Sequence, residues 1–223
     1  MDLFDFHIHS HFSKDSNMTP RNIVKVAKKN ELRGIAITDH ETIRGGVEAK
    51  KESPHSDFFI IVGSEIRTEA CEIIGLFLNE EVSSTDPYSV IDEIRDQGGL
   101  AVLPHPFRSL PAFFQKRGKI IPEEIVKRIH FIEVINSRTR EKDNQKALTL
   151  ASRMGKPMVT GSDAHFYQEI GRVKTSLAPF NSEEELRKNL LEGKTIVELK
   201  HNLFLKSIPF ILLSGLYERT RKV

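Results

Sequence analysis

The sequence predicts an α/β protein whose parallel strands close into a barrel. Short apolar runs typical of buried strands alternate with stretches of helical period, and polar side chains follow nearly every run. An open doubly wound sheet would concentrate such side chains at one switch point, and the sequence has no glycine-rich nucleotide loop to mark one. A closed barrel is therefore favoured. With 223 residues, 39% of them hydrophobic, the chain is most simply a single domain.

The predicted elements follow one another in order. About seven strands precede the last helix, with the runs LFDFHI, GIAIT, FFIIVGSEI, CEIIGLFL, LAVLP, FIEVI and PMVTGSD. Helices are predicted at 23–32, 47–51, 88–97, 122–129 and 143–154. Proline follows a capping residue at Thr19, and Pro122 precedes two glutamates, as helix starts favour. Ser182 and Glu185 form a capping-box pattern before a further helix.

The C-terminal segment 206–223 is apolar and then basic. It is too short for the ~20 apolar residues that span a bilayer, and it contains Lys206 and Pro209. Its apolar side chains precede Arg219, Arg221 and Lys222, a pattern that also suits docking on a membrane surface or a partner. We expect the barrel over 1–205 and favour a C-terminal segment packed against it.

Charge and cysteine content narrow the class of protein. Lys and Arg total 33 against 31 for Asp and Glu, so the formal charge of +2 gives no global field to attract nucleic acid or an anionic membrane. The single cysteine, Cys71, cannot form an intramolecular disulfide and lacks CxxC spacing. The N-terminal MDLFDFHIHS has no basic region before a hydrophobic core, so no signal peptide is expected. A cytoplasmic location is predicted.

Two pairs of donor side chains follow the first and last runs. His7 and His9 are two residues apart on a strand, so both rings project from one face and can bind one cation. Two histidines with this spacing also occur as ordinary polar residues that bind no metal. Asp163 and His165 repeat the spacing with one oxygen and one nitrogen donor, which could reach two ions. Because strand ends meet at one end of a barrel, the pairs are expected to converge.

Single donors follow the other strands. His40 comes directly after GIAI, with Asp39 placed to orient it. Glu65 ends its strand and is the candidate to bridge two cations, which an imidazole usually cannot do. His105 lies between two prolines that restrict its backbone, as suits a pre-positioned ligand. Asp15, in the loop beyond the first pair, could add an oxygen, although it could equally be a solvated turn residue.

The motifs HIH, TDH, GSE, PHP and GSDAH, in this order, resemble the polymerase and histidinol phosphatase superfamily, the PHP domain. The resemblance spans residues 2 to about 175 and implies a distorted, TIM-like (β/α)7 barrel whose two- or three-metal site usually hydrolyses phosphate esters. Glu72 stands where many members carry histidine. That oxygen donor could shift preference toward Mn, Fe or Mg over Zn, or leave its ion site weak. The implied ligands are His7, His9, Glu65 and Asp163 for one ion, Glu65, Glu72 and His105 for a second, and Asp15, His40 and His165 for a third.

The implied chemistry is hydrolysis by a bridging hydroxide between cations about 4 Å apart. Glu65, Asp163 and His165 are the predicted catalytic residues. The leaving-group acid stays open between a metal-bound water, Asp163 and His11. Because a guanidinium matches phosphate bidentately, the residues predicted to bind substrate are Arg108, Arg138 and Arg172, although as surface cations they need no function.

The sequence therefore predicts a phosphoesterase that uses two or three divalent ions, Zn, Mn or Fe with Mg possible. The expected substrate is a small phosphomonoester, a nucleotide or an oligonucleotide end, with no stable nucleic-acid complex. Two alternatives are an amidohydrolase-like hydrolase of an amide or lactone, which lacks its bridging lysine here, and a non-catalytic module with a structural metal. Glu133 and Asn136 are assigned to the pocket wall, and no role is expected for His55, His130 and His201.

Overall fold

The computed structural model describes residues 1–53, 57–108, 121–197 and 203–220. Its nine strands are β1 (Asp2–Ile8), β2 (Gly34–His40), β3 (Phe59–Arg67), β4 (Glu72–Leu76), β5 (Leu100–Leu103), β6 (Phe131–Asn136), β7 (Met158–Gly161), β8 (Thr175–Leu177) and β9 (Thr195–Val197). The α-helices are α1 (Pro20–Lys29), α2 (Arg44–Glu52), α3 (Pro87–Asp96), α4 (Glu123–Arg128), α5 (Glu141–Met154), α6 (Glu183–Leu191) and α7 (Leu203–Thr220). A short 3-10 helix spans Tyr167–Glu169.

The strands form one sheet in the order β7-β6-β5-β4-β3-β2-β1-β8-β9. The pairs β1–β2, β2–β3, β5–β6 and β6–β7 are parallel. The sheet curls until the end of β1 meets the end of β7, where Ile8 bridges Ala164 and the His9 amide donates to the Ala164 carbonyl at 2.9 Å. This near closure over β1–β7 confirms the predicted distorted, TIM-like α/β barrel.

Two strands depart from the parallel pattern. β8 pairs antiparallel with both β1 and β9. β4 runs antiparallel to both β3 and β5, and no helix separates it from β3. The turn between them is held by Thr68, whose hydroxyl donates to the Cys71 carbonyl and accepts from the Cys71 amide. Strands buried on both faces are continuous apolar runs whichever way they point, so the sequence did not reveal this direction.

The helix starts follow the capping signals. Thr19 and Asp86 accept hydrogen bonds from backbone amides at the starts of α1 and α3. Ser182 accepts from the Glu185 amide at 3.1 Å, as the capping-box pattern predicted. The reciprocal bond differs, because the Glu185 carboxylate accepts from the amide of Asn181. The predicted helices are all present, and α2 extends beyond its predicted range.

A β-bulge in β1 aims two neighbouring side chains into the barrel. Asp5 and Ile8 pair with Ile35 and Ile37, so two residues of β1, Phe6 and His7, oppose one residue of β2. Phe6 joins the apolar cluster that fills the barrel interior, and His7 points toward the polar end above it. That cluster takes a buried side chain from each of the first eight strands: Phe4, Ala36, Ile61, Ile74, Val102, Phe131, Val159 and Leu177.

Helix α7 lies against the polar end of the barrel. The Phe210 ring contacts the Phe166 ring with centroids 5.4 Å apart, and Ser214 is buried beside Arg138. None of the helices in the described part of the chain combines the length and apolar character needed to cross a bilayer. The division of the chain at residue 205 stays a prediction. The residues whose predicted roles fall outside the described ranges are His55, His201, Arg221 and Lys222.

Candidate metal centre

Histidine and carboxylate side chains from six strand ends gather at one end of the barrel. Four groups of three have ligand atoms within 4.8 Å of one another. Together the groups contain eight of the nine predicted ligands, and Asp15, the ninth, contacts two of the eight. The four groups are His7-His9-Glu65, His7-His105-Asp163, His9-His40-His165 and Glu65-Glu72-His105.

The innermost group surrounds the tip of β1. His7 Nε2 and His9 Nε2 are 3.0 Å apart, and Glu65 Oε2 lies 3.4 Å from each. Asp163 Oδ1 approaches the same two nitrogens at 3.7 and 3.4 Å. Two imidazole nitrogens and two carboxylate oxygens therefore face one point, which is the donor set that a divalent cation accepts.

The second group forms on the other oxygen of Glu65. Glu65 Oε1 lies 3.0 Å from His105 Nε2, and Glu72 Oε2 lies 3.9 Å from the same nitrogen. Glu72 thus lies in one group with Glu65 and His105, as the resemblance implied for a second ion. The two oxygens of Glu65 face different donor groups, as a bridging carboxylate requires.

The third group lies toward the mouth of the barrel. Asp15 Oδ2 is 2.8 Å from His165 Nε2 and 3.5 Å from His40 Nε2, and His40 Nδ1 is 3.2 Å from Glu65 Oε2. Among the described residues, Asp15 Oδ1 is buried and accepts no hydrogen bond. A buried carboxylate oxygen without a donor is costly in a protein alone, and a cation would satisfy it. The residues present therefore fit divalent ions.

Glu133 and Asn136 hold three of the predicted ligands in place. Glu133 Oε1 accepts from His7 Nδ1 at 3.0 Å, and its Oε2 accepts from the His105 amide at 2.8 Å. The Asn136 side-chain amide contacts the carboxylates of Glu133 and Asp163. With Nδ1 engaged, the His7 ring presents Nε2 to the centre. The sequence placed these two residues in the pocket wall and did not reveal that they hydrogen-bond to His7, His105 and Asp163.

Asp39 is linked to the His9 ring through the Ser13 hydroxyl. Its carboxylate accepts from the Ser10 amide and from the hydroxyls of Ser10 and Ser13 at 2.6 to 2.7 Å. The Ser13 oxygen in turn accepts from His9 Nδ1 and from the His40 amide. Asp39 was expected to orient His40. It does so only indirectly, because Ser13 donates to Asp39 and accepts from the backbone amide of His40. Ser10 and Ser13, missed by the sequence analysis, lie within four residues of His9, and this proximity was the available signal.

Comparison with known proteins supports one family. A family model described as PHP-associated matches residues 141–195. An uncharacterized protein of Methanocaldococcus jannaschii is 36% identical over 213 residues, which are 91% of this chain and 82% of the relative. A two-domain protein of Bacteroides vulgatus, containing a predicted PHP-like metal-dependent phosphoesterase, matches 94% of this chain and 69% of its own with a TM-score of 0.72 and 23% identity. The chain belongs to the PHP-domain family.

A DNA-processing enzyme shares the fold of this PHP domain. Endonuclease Q, solved with a 27-mer duplex that has an abasic lesion at the active site, matches 88% of this chain and 58% of its own. Its TM-score is 0.63 and its identity 16%, so the likeness shows the fold alone.

Two residues of the PHP centre have a left-handed backbone. Asp163 has φ +54° and His105 has φ +26°, a region that residues with a Cβ rarely adopt. The Asp163 amide donates to the His7 carbonyl at 2.8 Å, and the Arg108 amide donates to the His105 carbonyl at 2.9 Å. The surrounding bonds hold the strained backbone, as is common at functional sites.

Of the three arginines predicted to bind substrate, Arg108 reaches the centre of the PHP domain. Its NH1 lies 2.8 Å from Asp163 Oδ2, and its side chain is 23% exposed. Arg138 instead pairs with the buried carboxylate of Glu169, and Arg172 lies over the Phe210 ring. The buried Glu169 carboxylate requires a positively charged partner. Arg138 supplies that charge and so pairs with Glu169 rather than with the predicted ligands.

Opposing charges set the protonation of the PHP centre. Burial lowers the pKa of His7, but the carboxylates of Glu65, Glu133 and Asp163 outweigh it and raise that pKa well above the usual range. Burial, followed by the neighbouring rings of His165 and His40, lowers the pKa of His9 to about 3. Despite their burial, which opposes ionisation, the pKa values of Glu65 and Asp163 lie well below normal because cationic partners surround both. Without metal, protonated imidazoles neutralise the carboxylates.

Proposed function

We propose that this PHP domain is a metal-dependent phosphoesterase. The observation that carries the proposal is the convergence of His7, His9, Glu65 and Asp163 on one point, with Arg108 beside them. Bound divalent ions would supply an acidified water as nucleophile and positive charge for the phosphoryl oxygens.

The geometry supports three neighbouring ion sites. We assign Zn, Mn or Fe to mixed nitrogen and oxygen donors, and Mg is compatible with the carboxylate-rich side. The proposed ligands are His7, His9, Glu65 and Asp163 for the first ion, Glu65, Glu72 and His105 for the second, and Asp15, His40 and His165 for the third.

Glu65 and Arg108 have distinct roles in this proposal. Glu65 joins the ion sites, because its Oε2 lies 3.2 to 3.4 Å from His7, His9 and His40 while its Oε1 faces His105. Burial lowers the pKa of Arg108, but the carboxylates of Asp163 and Glu72 outweigh burial and raise that pKa above its ordinary value, so the guanidinium stays charged. A charged guanidinium that contacts Asp163 can turn to a phosphate, whose geometry it matches. This feature favours a phosphate ester over an amide or lactone.

The proposed substrate is a small phosphomonoester, a nucleotide or the end of a short oligonucleotide. The formal charge of +2 offers little long-range attraction for a nucleic-acid duplex. Endonuclease Q shows that a protein of this fold can take duplex DNA to its active site, so oligonucleotides belong in the substrate panel.

The test measures phosphate release by protein stripped of metal and reloaded with Mn, Zn, Fe or Mg. We expect turnover with at least one metal, and a loss of about 100-fold or more in His7→Ala and Asp163→Asn, because even outer partners of metal ligands contribute 10- to 100-fold. Asp92→Asn, on the exposed side of α3, is the matched control and should retain full activity.

Two outcomes would contradict the proposal. Full activity in Asp163→Asn would show that this centre does not carry out the hydrolysis. Metal that raises the melting temperature without turnover of any phosphate ester would indicate a structural ion in a binding module. Elemental analysis of protein purified without added metal would report the number and identity of the ions.

A further inference from the structure

A buried ion pair lies beside the metal centre and is not used in the proposed chemistry. Arg138 is 3% exposed and Glu169 is fully buried. Arg138 Nε donates to Glu169 Oε1 at 3.1 Å and its NH2 donates to Oε2 at 3.3 Å. Removing both charges from water is costly, so such a pair persists where its geometry is good and its remaining atoms are bonded. The remaining bonds of this pair run in two directions.

On one side, the pair holds the backbone of His165, a proposed metal ligand. The His165 amide donates to Glu169 Oε2 at 3.1 Å. The His165 ring then spans from the Asp163 carbonyl, 2.8 Å from Nδ1, to Asp15, 2.8 Å from Nε2. Glu169 therefore anchors the backbone from which the third group's ligand projects.

In the other direction the pair reaches the C-terminal helix. Arg138 NH2 donates to the Ser214 hydroxyl at 3.3 Å. One turn earlier on the same helix face, the Phe210 ring packs on Phe166, the residue directly after His165, and on the Arg172 guanidinium at 4.8 Å. Helix α7 thus contacts the His165 loop in two ways. Phe210 packs on Phe166, and Ser214 is linked to the His165 amide by hydrogen bonds through Arg138 and Glu169.

We propose that Glu169 is a positioning residue for His165, and that α7 maintains this position through Arg138 and Phe210. The inference deepens the proposed function, since it rests on His165 being a metal ligand. The C-terminal helix is then part of the metal centre: its docking sets the affinity of the Asp15, His40 and His165 site.

The test removes both charges of the pair, so that neither Arg138 nor Glu169 is left buried without the other. Arg172, 3.9 Å from Glu169 and 17% exposed, keeps its contact with the Phe210 ring. The double variant Arg138→Met/Glu169→Leu keeps similar volume and takes away the acceptor of the His165 amide, whereas a single substitution would leave one charge unpaired. Phe210→Ala perturbs the same loop from α7. Ile94→Val, on the buried face of α3, is the control for a general loss of stability.

Two readouts are independent of turnover. In metal-free protein, hydrogen exchange of the His165 amide should become roughly tenfold faster in the double variant, as expected for loss of a hydrogen bond to a charged acceptor. Competition with a chelator should show one ion bound about 10- to 100-fold more weakly. Phe210→Ala should change both in the same direction, and Ile94→Val should change neither.

Unchanged exchange and unchanged affinity would overturn the inference. Faster exchange with all ions bound as in the parent would also overturn it, since the pair would then be purely structural. If the parent binds metal and the variants respond as expected but no phosphate ester is hydrolysed, the phosphoesterase proposal fails while this one stands.

Discussion

Glu65 illustrates how a single side chain organises this centre. It is buried at the end of β3, yet it keeps a pKa well below normal, because the cationic partners His7, His105 and His40 outweigh the burial that would raise it. The sequence identified the residue from its place at a strand end. Its partners come from β1, β2 and the loop after β5. The sequence did not reveal how far each of them lies from Glu65.

At the residue scale, Glu133→Gln should weaken metal binding. The carboxylate accepts from the His7 ring and the His105 amide, and the neutral amide would leave the His7 ring less basic and free to turn. We expect a loss of about 10- to 100-fold in affinity, measured by chelator competition. Glu80→Gln, at an exposed position, is the control, and equal affinity in the two variants would contradict the role.

Metal affinity should also rise with pH. Burial would lower the pKa of His40, but the hydrogen bond to Asp15 and the charges of Glu65 and Asp15 raise it to about 9. A raised histidine pKa means that the metal-free protein holds a proton below about pH 9, so a cation must displace it. Each displaced proton should cost about tenfold in affinity per pH unit below that pKa.

Calorimetry in buffers of different ionisation enthalpy would count the released protons. His40→Asn should release one proton fewer than the parent at pH 7. His9, with its pKa near 3, is already neutral and should add none. An affinity independent of pH between 6 and 8 would contradict this prediction.

At the element scale, close approach of α2 to β2 supports the Asp39 network. Gly45, near the start of α2, lies against Asp39 and Ser10 so tightly that an added Cβ would overlap both side chains. Because those side chains are fixed by hydrogen bonds to one another and to Ser13, they cannot move aside freely. The helix packing therefore bears directly on the orientation of His9.

Gly45→Ala should accordingly lower both stability and metal affinity. Overpacking typically reduces the free energy of unfolding by about 1–3 kcal/mol, and displacement of Asp39 should weaken metal binding about tenfold. Denaturant unfolding and chelator competition measure the two effects. Gly215→Ala, where an added Cβ meets no atom of the described residues within 4 Å, should leave metal affinity unchanged. Equal behaviour of the two variants would show that the close approach is without consequence.

At the scale of the whole molecule, the closure of the sheet creates the centre. Residues 7 and 163 are joined across the Ile8–Ala164 bridge, and the Asp5 carboxylate accepts from the amides of Ser162 and Gly171 on the far side of the same seam. The proposed ligands from both ends of the chain are brought together only when this seam is closed. Metal binding and folding should therefore be coupled.

Bound metal should raise the free energy of unfolding of the whole barrel. At a free concentration 100 times the dissociation constant, an ion that binds only the folded state adds about 2.7 kcal/mol. Thermal melting of chelated protein with and without added metal measures the shift. Asp163→Asn should lose most of the shift, whereas Asp92→Asn should keep it. An equal shift in both variants would place the stabilising ion elsewhere.

The sequence by itself determined the barrel class, the order of the first seven strands along the chain and the candidate donor side chains, because apolar period and strand-end position are local properties of the chain. It did not determine the antiparallel β4, the bulge that turns both Phe6 and His7 inward, or the separation of Arg108 from Arg138. Those features depend on strand pairing and on the partner that a buried charge finds across the fold. Only the tertiary structure decides such contacts, since Arg108 and Asp163, for example, lie 55 positions apart in the sequence.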